Sequence, residues 1–235
     1  MEIKNISESP VDIDLSCFPF FKSLTKEEHD LLNYKKTCIA SKRGTIIYEE
    51  GCRISGFYFI IRGIVKIYKT GIDGKEQIIK FATKGDLFGY RSLLSDETAC
   101  STSKVIEDAI IYHIPYRIFL NLVETNPMFS LAMLRFACAE LKDANDCITY
   151  FGQKKVKERL AEILLLLHKN FKSDTDESIQ ILLTREELAN TIGAAKEVIT
   201  RFITDFKREK LIDLKGRKIK IINFIELKKV AKLID

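Results

Sequence analysis

The chain has 235 residues, of which 46% are hydrophobic and 30% are charged, and its formal net charge is +5 at pH 7. This length allows one large domain or two ordinary ones, and the composition is that of a globular protein rather than a disordered or collagen-like chain. No apolar run approaches the roughly 20 residues that a membrane span needs, and the polar start of the chain does not resemble a secretory signal. We therefore expect a cytoplasmic protein that has no membrane partner.

The six cysteines are scattered along the chain at positions 17, 38, 52, 100, 138 and 147. Secreted domains rich in disulfides use dense cysteine frameworks, and zinc sites use close pairs, so this spacing predicts neither of them. We expect buried free thiols.

Positive charge is concentrated in the C-terminal third of the chain. Residues 151–235 carry 19 Lys and Arg against 13 Asp and Glu, whereas residues 1–150 carry 19 against 20. Such an asymmetry is typical of a nucleic-acid-binding module, although an ordinary solvated surface is the simpler alternative.

Short β-strands are predicted between about residue 36 and residue 115. They follow a short helix that begins with Thr25 and Glu28 at the spacing of a capping box. Runs rich in β-branched and aromatic residues alternate with glycines, and Asp73-Gly74 predicts a hairpin. The predicted strands are 46–48, 57–61, 64–68, 78–81 and 109–114. Many short strands with evenly spaced turns indicate an antiparallel barrel or sandwich.

After Pro127 the pattern becomes helical for about 25 residues. One stripe on this helix repeats at alternating spacings of three and four, as in a helix that pairs with a copy of itself. Its members, which we predict to form the interface of a homodimer, are Leu131, Leu134, Cys138, Leu141, Asn145 and Ile148. Asn145 would suit a parallel pair, in which two amides hydrogen-bond across the axis. The alternative is a core helix with an incidental polar residue. A hinge is predicted at residues 152–155, directly after this helix.

Two further helices joined by Gly193 are predicted in the C-terminal third. Thr184 and Glu187 form a capping box at the start of the first helix, and Gly193 can adopt the positive φ that a tight turn between helices demands. The second helix, 195–208, has one apolar face, and a hairpin with a basic tip follows at 211–222. This order of elements is typical of a winged helix-turn-helix, whereas each element alone would equally suit a structural helical subdomain.

The polar face of the second helix carries residue types that read a major groove. Arg201 can pair with guanine, Glu197 can accept from the amino group of cytosine, and Lys196 can reach guanine or phosphate. We predict these three as base-reading residues. The predicted phosphate contacts are Thr184, Arg185, Thr200, Lys215, Arg217 and Lys218.

These motifs resemble the catabolite-activator/fumarate–nitrate-regulator (Crp/Fnr) family of bacterial transcription factors. The likeness begins near Phe18 and is most specific at 183–223, through Thr-Arg-Glu-Glu-Leu-Ala at 184–189 and Lys-Glu-Val-Ile-Thr-Arg at 196–201. In the N-terminal half, 44–51 and 85–89 resemble turns of the family's sensor.

The resemblance implies an α+β fold in three parts. These are a cyclic-nucleotide-binding-type antiparallel β-barrel (jelly roll) in residues 1–127, a dimerisation helix and hinge in 128–153, and a winged helix-turn-helix in 154–235. It further implies a homodimer that binds a palindromic operator in double-stranded DNA and acts on RNA polymerase.

The family's cyclic-nucleotide site calls for an acid directly after Phe88-Gly89 and an arginine about ten residues later. This chain has Tyr90 at the first position and Ala99 at the second. A buried phosphate without a counter-charge is unfavourable by several kcal/mol, so we expect no binding of cyclic AMP. The candidate effector pocket is Phe88, Gly89, Tyr90, Arg91, Ser92, Ala99, Cys100, Ser101 and Asn145. Arg91 is expected to point away from it, as part of an extended segment.

No cofactor or metal is predicted. An iron–sulphur centre of the family's kind needs a close group of N-terminal cysteines, and Cys17 stands alone. His113 is the one histidine in the predicted barrel, and we expect a structural residue whose hydrogen bonds are satisfied rather than a haem ligand. An unidentified small-molecule effector, a redox thiol such as Cys100, and no effector at all stay open.

Two functions stay open as well. The first is an operator-binding regulator, and the second is a sensory ligand-binding protein whose C-terminal module mediates protein contacts. An enzyme is not expected, because no paired carboxylates, nucleophile–base set or phosphate loop stands out.

Overall fold

The computed structural model describes residues 14–170, 183–215 and 218–233 of the chain. The chain divides into two compact units, residues 1–140 and residues 141–235. Within the described ranges, no helix is both long enough and apolar enough to cross a membrane.

The N-terminal unit contains a β-sheet with helices before and after it. Its elements are two 3-10 turns (Leu15–Cys17 and Pro19–Phe21), α1 (Lys26–Lys35), β1 (Thr37–Ser41), β2 (Ile46–Tyr48), β3 (Gly56–Thr70), β4 (Glu76–Ala82), β5 (Leu87–Phe88), α2 (Tyr90–Leu94), β6 (Thr102–Pro115), α3 (Tyr116–Thr125) and the first part of α4 (Pro127–Gln153). The predicted capping box of Thr25 and Glu28 is present at the start of α1.

The six strands form one antiparallel sheet in the order β1-β6-β3-β4, with β2 paired to β6 and β5 paired to β3. The two predicted strands 57–61 and 64–68 are a single strand, β3, because the glycine between them makes a bulge and not a turn. Likewise, the predicted strand 109–114 is the second half of the longer β6. The α+β fold class, with its antiparallel N-terminal sheet, is confirmed.

Gly63 marks a place where β3 approaches β6 closely. Its φ is +88°, and a Cβ at this position would lie 2.5 Å from the carbonyl oxygen of Asp108 and 2.6 Å from Cα of Ala109. The strand pairing shifts register on both sides of this residue. Glycine is therefore required at position 63 both by its φ and by the space available.

The predicted hairpin at Asp73-Gly74 is confirmed. It connects β3 to β4, the N–H of Gly71 donates to the carbonyl of Lys75 at 2.8 Å, and Gly74 has a φ of +72°.

The two faces of the sheet bury different partners, because successive side chains of a strand point to opposite faces. Phe57, Phe59 and Ile61 belong to a cluster that includes α3, α4 and the N-terminal turns. Tyr58 and Ile60 belong to a second cluster, which is built from strands and their connections. The first cluster is what attaches α4 to the sheet.

The prediction of buried thiols is wrong. Five of the six cysteines are exposed and Cys100 is half-buried, although all six are free. Cys38 and Cys138 lie on β1 and α4, whose other face contributes to the core, so the element is partly buried but the thiol is not.

His113 is a structural histidine, as predicted. Its Nε2 lies 3.1 Å from Oγ of Ser55, and its ring packs against Tyr58 with centroids 5.2 Å apart. Burial lowers the pKa of its imidazole.

The C-terminal unit comprises the end of α4 and the elements that follow it. Those fully covered by the described ranges are α5 (Val156–Asn170), α6 (Arg185–Ile192), α7 (Lys196–Arg208), β7 (Ile212–Lys215), β8 (Lys218–Ile221) and α8 (Phe224–Val230). Strands β7 and β8 form an antiparallel hairpin. The core of this unit is formed by Leu160, Leu164, Leu188, Ile199 and Phe206, which are fully buried.

The close approach at Gly63 generates a stability prediction. Gly63→Ala should lower the free energy of unfolding by at least about 2 kcal/mol, because alanine resists a positive φ and its Cβ meets backbone atoms. Urea denaturation followed by tyrosine fluorescence measures this, since seven of the eight tyrosines lie in residues 1–140.

Gly71→Ala is the matched control, because its Cβ would meet only the carbonyl oxygen of Lys75 at an ordinary 3.5 Å. The unfolding free energy of this variant should stay within about 0.5 kcal/mol of the wild-type value. Equal denaturation midpoints for Gly63→Ala and the wild type would contradict the close approach.

Candidate functional site

Helix α6 begins with the predicted capping box. The hydroxyl of Thr184 accepts from the N–H of Glu187 at 3.0 Å, and the Glu187 carboxylate accepts from the N–H of Thr184 at 2.7 Å. The Thr184 hydroxyl also donates to this carboxylate at 2.9 Å. These bonds fix the start of the helix, and they occupy the donors with which Thr184 was predicted to contact phosphate.

The turn between α6 and α7 is the one that Gly193 predicts. Gly193 has φ 68° and ψ 50°, and its N–H donates to the carbonyl of Ala189 at 2.9 Å. Leu188, Ala189 and Ile192 are buried, so the short helix packs with its apolar side inward.

Helix α7 has two chemically distinct faces. Ile199, Ile203 and Phe206 are buried, and they fix the rotation of the helix about its axis. The opposite face is exposed and consists of Lys196, Glu197, Thr200, Arg201 and Thr204. The three predicted base-reading residues are therefore all exposed on the side of α7 opposite the buried one, within one and a half turns of each other.

Neighbouring contacts leave these side chains accessible. The Arg201 guanidinium lies over the ring of Phe202 at 5.3 Å. Nζ of Lys196 is 3.9 Å from the Glu186 carboxylate, and both side chains are more than half exposed, so the pair contributes little.

The predicted phosphate contacts have varied surroundings. Arg185 is half-buried, and burial lowers the pKa of its guanidinium. The Thr200 hydroxyl donates to the carbonyl of Lys196 at 2.8 Å, a bond that it would give up to donate to phosphate. Lys215 and Lys218 are exposed and paired at the end of the β7–β8 hairpin. Arg217 lies outside the described residues.

The start of α7 lacks a side-chain cap. Its N-cap residue is Ala195, which makes no side-chain hydrogen bond to the first turn. The N–H groups of that turn therefore depend on solvent or on a ligand for their partners.

In the N-terminal unit, Gly89 opens the region of the predicted effector pocket. It has a φ of +83°, and a Cβ there would lie 3.1 Å from Cδ1 of Ile54 and 3.2 Å from the ring of Tyr58. The segment that follows is helix α2, so the prediction of an extended segment at Arg91 is wrong. Gly89 in the left-handed conformation acts as its N-cap, and Arg91 is exposed on this helix.

Tyr90 occupies the position at which the family resemblance places an acid. It is 4% exposed, and its hydroxyl donates to Oε2 of Glu140 on α4 at 2.6 Å. Burial, together with this hydrogen bond, raises the pKa of the Tyr90 hydroxyl far above its usual value, so it stays a proton donor. Ala99 is buried where the arginine was expected, and its N–H donates to the carbonyl of Cys52 at 2.8 Å.

Glu140 receives a second donor from strand β4. Nζ of Lys80 lies 2.9 Å from Oε1 of Glu140 and 3.8 Å from the Asp86 carboxylate. The sequence analysis missed both Lys80 and Glu140, since no motif links two residues 60 positions apart.

Three aromatic rings pack together beside Gly89. The ring centroids of Tyr58 and Phe88 are 5.1 Å apart, and Tyr48 lies 5.6 Å and 6.0 Å from them. Burial raises the pKa of the Tyr48 hydroxyl. We define these three rings as the aromatic cluster. They are part of the core that is built from strands.

The remaining predicted pocket residues differ in burial. Ser92 and Ser101 are buried, and Cys100 is half-buried. Asn145 belongs to the C-terminal unit and its side chain is exposed. The described residues hold no group of three or more His, Cys, Asp or Glu side chains that could bind a metal ion.

The stripe predicted on α4 lies on its exposed side. Leu134 is 61% exposed, Leu141 62% and Ile148 71%, and Leu131, Cys138 and Asn145 are also exposed. Buried Phe129 and Met133 lie on the other side of the helix and face the sheet. This exposure does not fit the alternative of a core helix.

Two family models match the chain. The cyclic nucleotide-binding domain matches residues 39–126, and the Crp-like helix-turn-helix domain matches residues 158–230. The second match covers α6, α7 and the hairpin described above.

Known proteins match nearly the whole chain. The fumarate and nitrate reduction regulatory protein of Vibrio cholerae is 28% identical over 220 residues, which cover 92% of this chain and 86% of the relative. Electron transport regulator A of Shewanella oneidensis is 26% identical, with the same coverage. Among solved structures, a transcriptional regulator of the Crp/Fnr family from Eubacterium rectale has a TM-score of 0.78 at 21% identity, covering 92% of this chain and 98% of that chain. FixK2 from Bradyrhizobium japonicum has a TM-score of 0.76, also at 21% identity, and covers 85% of this chain and 99% of that chain.

The chain thus matches a cyclic nucleotide-binding domain followed by a Crp-like helix-turn-helix domain, and the named relatives are regulators. The chain belongs to the Crp/Fnr family of transcription regulators.

Proposed function

We propose that the protein is a homodimeric transcription regulator that binds a specific palindromic operator, and that its sensor does not bind cyclic AMP. In this proposal residues 1–127 form the sensor, 128–153 the dimerisation helix and hinge, and 154–235 the DNA-binding domain. It acts in the cytoplasm, where it meets operator DNA, and RNA polymerase at the promoter is its expected partner.

The exposed face of α7 is the observation that carries the proposal. Buried Ile199, Ile203 and Phe206 direct the opposite side of the helix to solvent, and that side holds Lys196, Glu197 and Arg201. An acidic residue on a helix facing DNA repels phosphate, so Glu197 is best explained by a base contact to cytosine. Lys196 lacks the bidentate geometry of arginine and should discriminate less at its base pair.

A second copy of the chain is the expected partner of the stripe on α4. Large apolar side chains repeated at heptad spacing bury most apolar surface when they interlock with the identical side chains of a second helix. A palindromic operator then follows, because a two-fold symmetric dimer contacts two equivalent half-sites.

The absence of cyclic AMP binding is supported by the residues at the two key positions. Tyr90 supplies no carboxylate for a ribose hydroxyl, and Ala99 supplies no positive charge for a phosphate. The Tyr90 hydroxyl already donates to Glu140, and the aromatic cluster packs beside Gly89.

Arg201→Ala tests the DNA interface. We expect affinity for the operator, selected from random duplexes, to fall by about 1–3 kcal/mol, with relaxed discrimination at one base pair. Fluorescence anisotropy over a salt series measures both effects, and wild-type binding should weaken steeply with salt.

Arg53→Ala is the matched control for the DNA test, because it removes the same charge from an exposed site in the N-terminal unit. Its operator affinity should equal that of the wild type. Selection of no preferred sequence by the wild type would reject the regulator and favour a C-terminal module that contacts proteins.

Leu141→Glu tests the dimer. A glutamate in the stripe would bury an unpaired charge in each copy, so we expect the molar mass at micromolar concentration to fall to that of a monomer. Ala139→Glu adds the same charge to an exposed position outside the stripe and should remain dimeric. A monomeric wild type would refute the proposed interface.

Cyclic AMP should not change the thermal unfolding of the protein. A ligand present at about 100 times its dissociation constant stabilises the folded state by about 2.7 kcal/mol, which a thermal scan detects easily. A clear upward shift with cyclic AMP, and none with 5′-AMP, would contradict our interpretation of Tyr90 and Ala99.

A further inference from the structure

Helix α4 leaves the N-terminal sheet at Glu140. Phe129 and Met133 are buried, Phe136 and Ala137 are half-buried, and Glu140 is the last half-buried residue of this series. All residues from 141 to 149 are exposed. The contacts of Glu140 therefore decide where the helix stops following the sheet.

A polar cluster holds the helix at this point. One oxygen of the Glu140 carboxylate, Oε2, accepts from the Tyr90 hydroxyl at 2.6 Å. The other oxygen, Oε1, lies 2.9 Å from Nζ of Lys80. We call these three residues the Tyr90–Glu140–Lys80 cluster. Its two donors come from α2 and β4, so one carboxylate joins the helix to two separate parts of the sensor.

The same two donors also contact the preceding turn of the helix. The ring of Tyr90 packs against the ring of Phe136 with centroids 5.3 Å apart, and Nζ of Lys80 lies over that ring at 5.1 Å. Positions 136 and 140 are one turn apart on the same side of the helix. Contacts at both positions fix the rotation of α4 about its axis, and thus the direction in which its exposed stripe faces.

We propose that the Tyr90–Glu140–Lys80 cluster by itself fastens the long helix to the sensor, so that the protein binds its operator without a small molecule. This inference rests on the proposed function, namely operator binding by a dimer formed through α4. The proposed fastening explains why a tyrosine occupies position 90, where the family resemblance places a ligand-binding acid.

The cluster differs from an ordinary surface ion pair. The Tyr90 side chain is buried, and the Lys80 and Glu140 side chains are 29% and 32% exposed. The nearby pair on the same helix, Lys142 and Asp146, is 73% and 65% exposed and joins only adjacent turns. Hydrogen bonds to a charged group in partly buried surroundings are stronger than such exposed pairs.

Loss of the cluster should reduce the population of protein that can bind DNA. An apparent dissociation constant rises in proportion as the competent fraction falls. A helix that is no longer fixed at Glu140 samples other rotations, in which the two stripes of a dimer do not meet in register.

The test uses the full-length protein and the variant Tyr90→Phe, which keeps the ring against Phe136 and removes only the hydroxyl. We expect operator affinity to fall about tenfold, the scale of one hydrogen bond to a charged group. Lys80→Met should act in the same direction. Asp146→Asn, which disrupts the exposed pair on the same helix, is the matched control and should bind as the wild type does.

Hydrogen exchange without DNA provides an independent measurement. In Tyr90→Phe, amides near position 140 should exchange about tenfold faster than in the wild type, because the fastening that resists local opening is lost. Amides of the α7 segment should exchange at the wild-type rate. A general loss of folding would instead accelerate exchange in β3 and β6 as well, and Lys80→Met then decides the outcome.

Three results would overturn the inference: Tyr90→Phe with wild-type affinity and exchange, tighter operator binding by that variant, or a wild type that binds its operator only when a small molecule is added. Failure of the proposed function looks different. A wild type that selects no operator, while its exchange near Glu140 still responds to Tyr90→Phe, would show that the helix is fastened in a protein that does not read DNA.

Discussion

The structure depends on one helix that buries one face against the sheet and leaves another face exposed. On one side of α4, Phe129 and Met133 are buried against the sheet, and on the other side Leu134 and Leu141 remain exposed. A helix of 27 residues can satisfy both demands only if its rotation is fixed, since a turn of half a circle would exchange the two faces. The aromatic packing at Phe136 and the bonds of Glu140 supply that constraint, at the end of the contact with the sensor.

Much of the fold follows from local patterns in the sequence. The capping boxes at Thr25 and Thr184 and the left-handed glycine at 193 depend on residues only a few positions apart, so they could be predicted and are present. The break expected at Gly63 did not occur, because a glycine with positive φ serves equally in a turn and in a bulge. Only the partner strand, which lies some 45 residues away in the chain, decides between the two.

The candidate sites also combine features that local sequence patterns predict with features that depend on distant residues. The polar face of α7 could be predicted from the spacing of the apolar residues opposite it. The bond between Tyr90 and Glu140 could not, because it joins residues 50 positions apart that belong to no shared motif. The family resemblance places an acid at the position of Tyr90, and in the structure the hydroxyl of this tyrosine donates to Glu140 on the long helix. The burial of the thiols was predicted wrongly for a related reason. The periodicity of the sequence indicates which side of a helix or strand is apolar, but not whether another part of the protein covers that side.

The exposed thiols have a practical consequence for work on this protein. Five cysteines reach solvent, and two of them, Cys138 and Cys147, lie on α4. In a reducing cytosol such groups stay as thiols, whereas in aerated buffer they can cross-link two copies. A disulfide formed in this way would give the mass of a dimer whether or not the apolar stripe holds the two copies together. Molar mass and DNA affinity therefore describe the native molecule only when they are measured with reductant present.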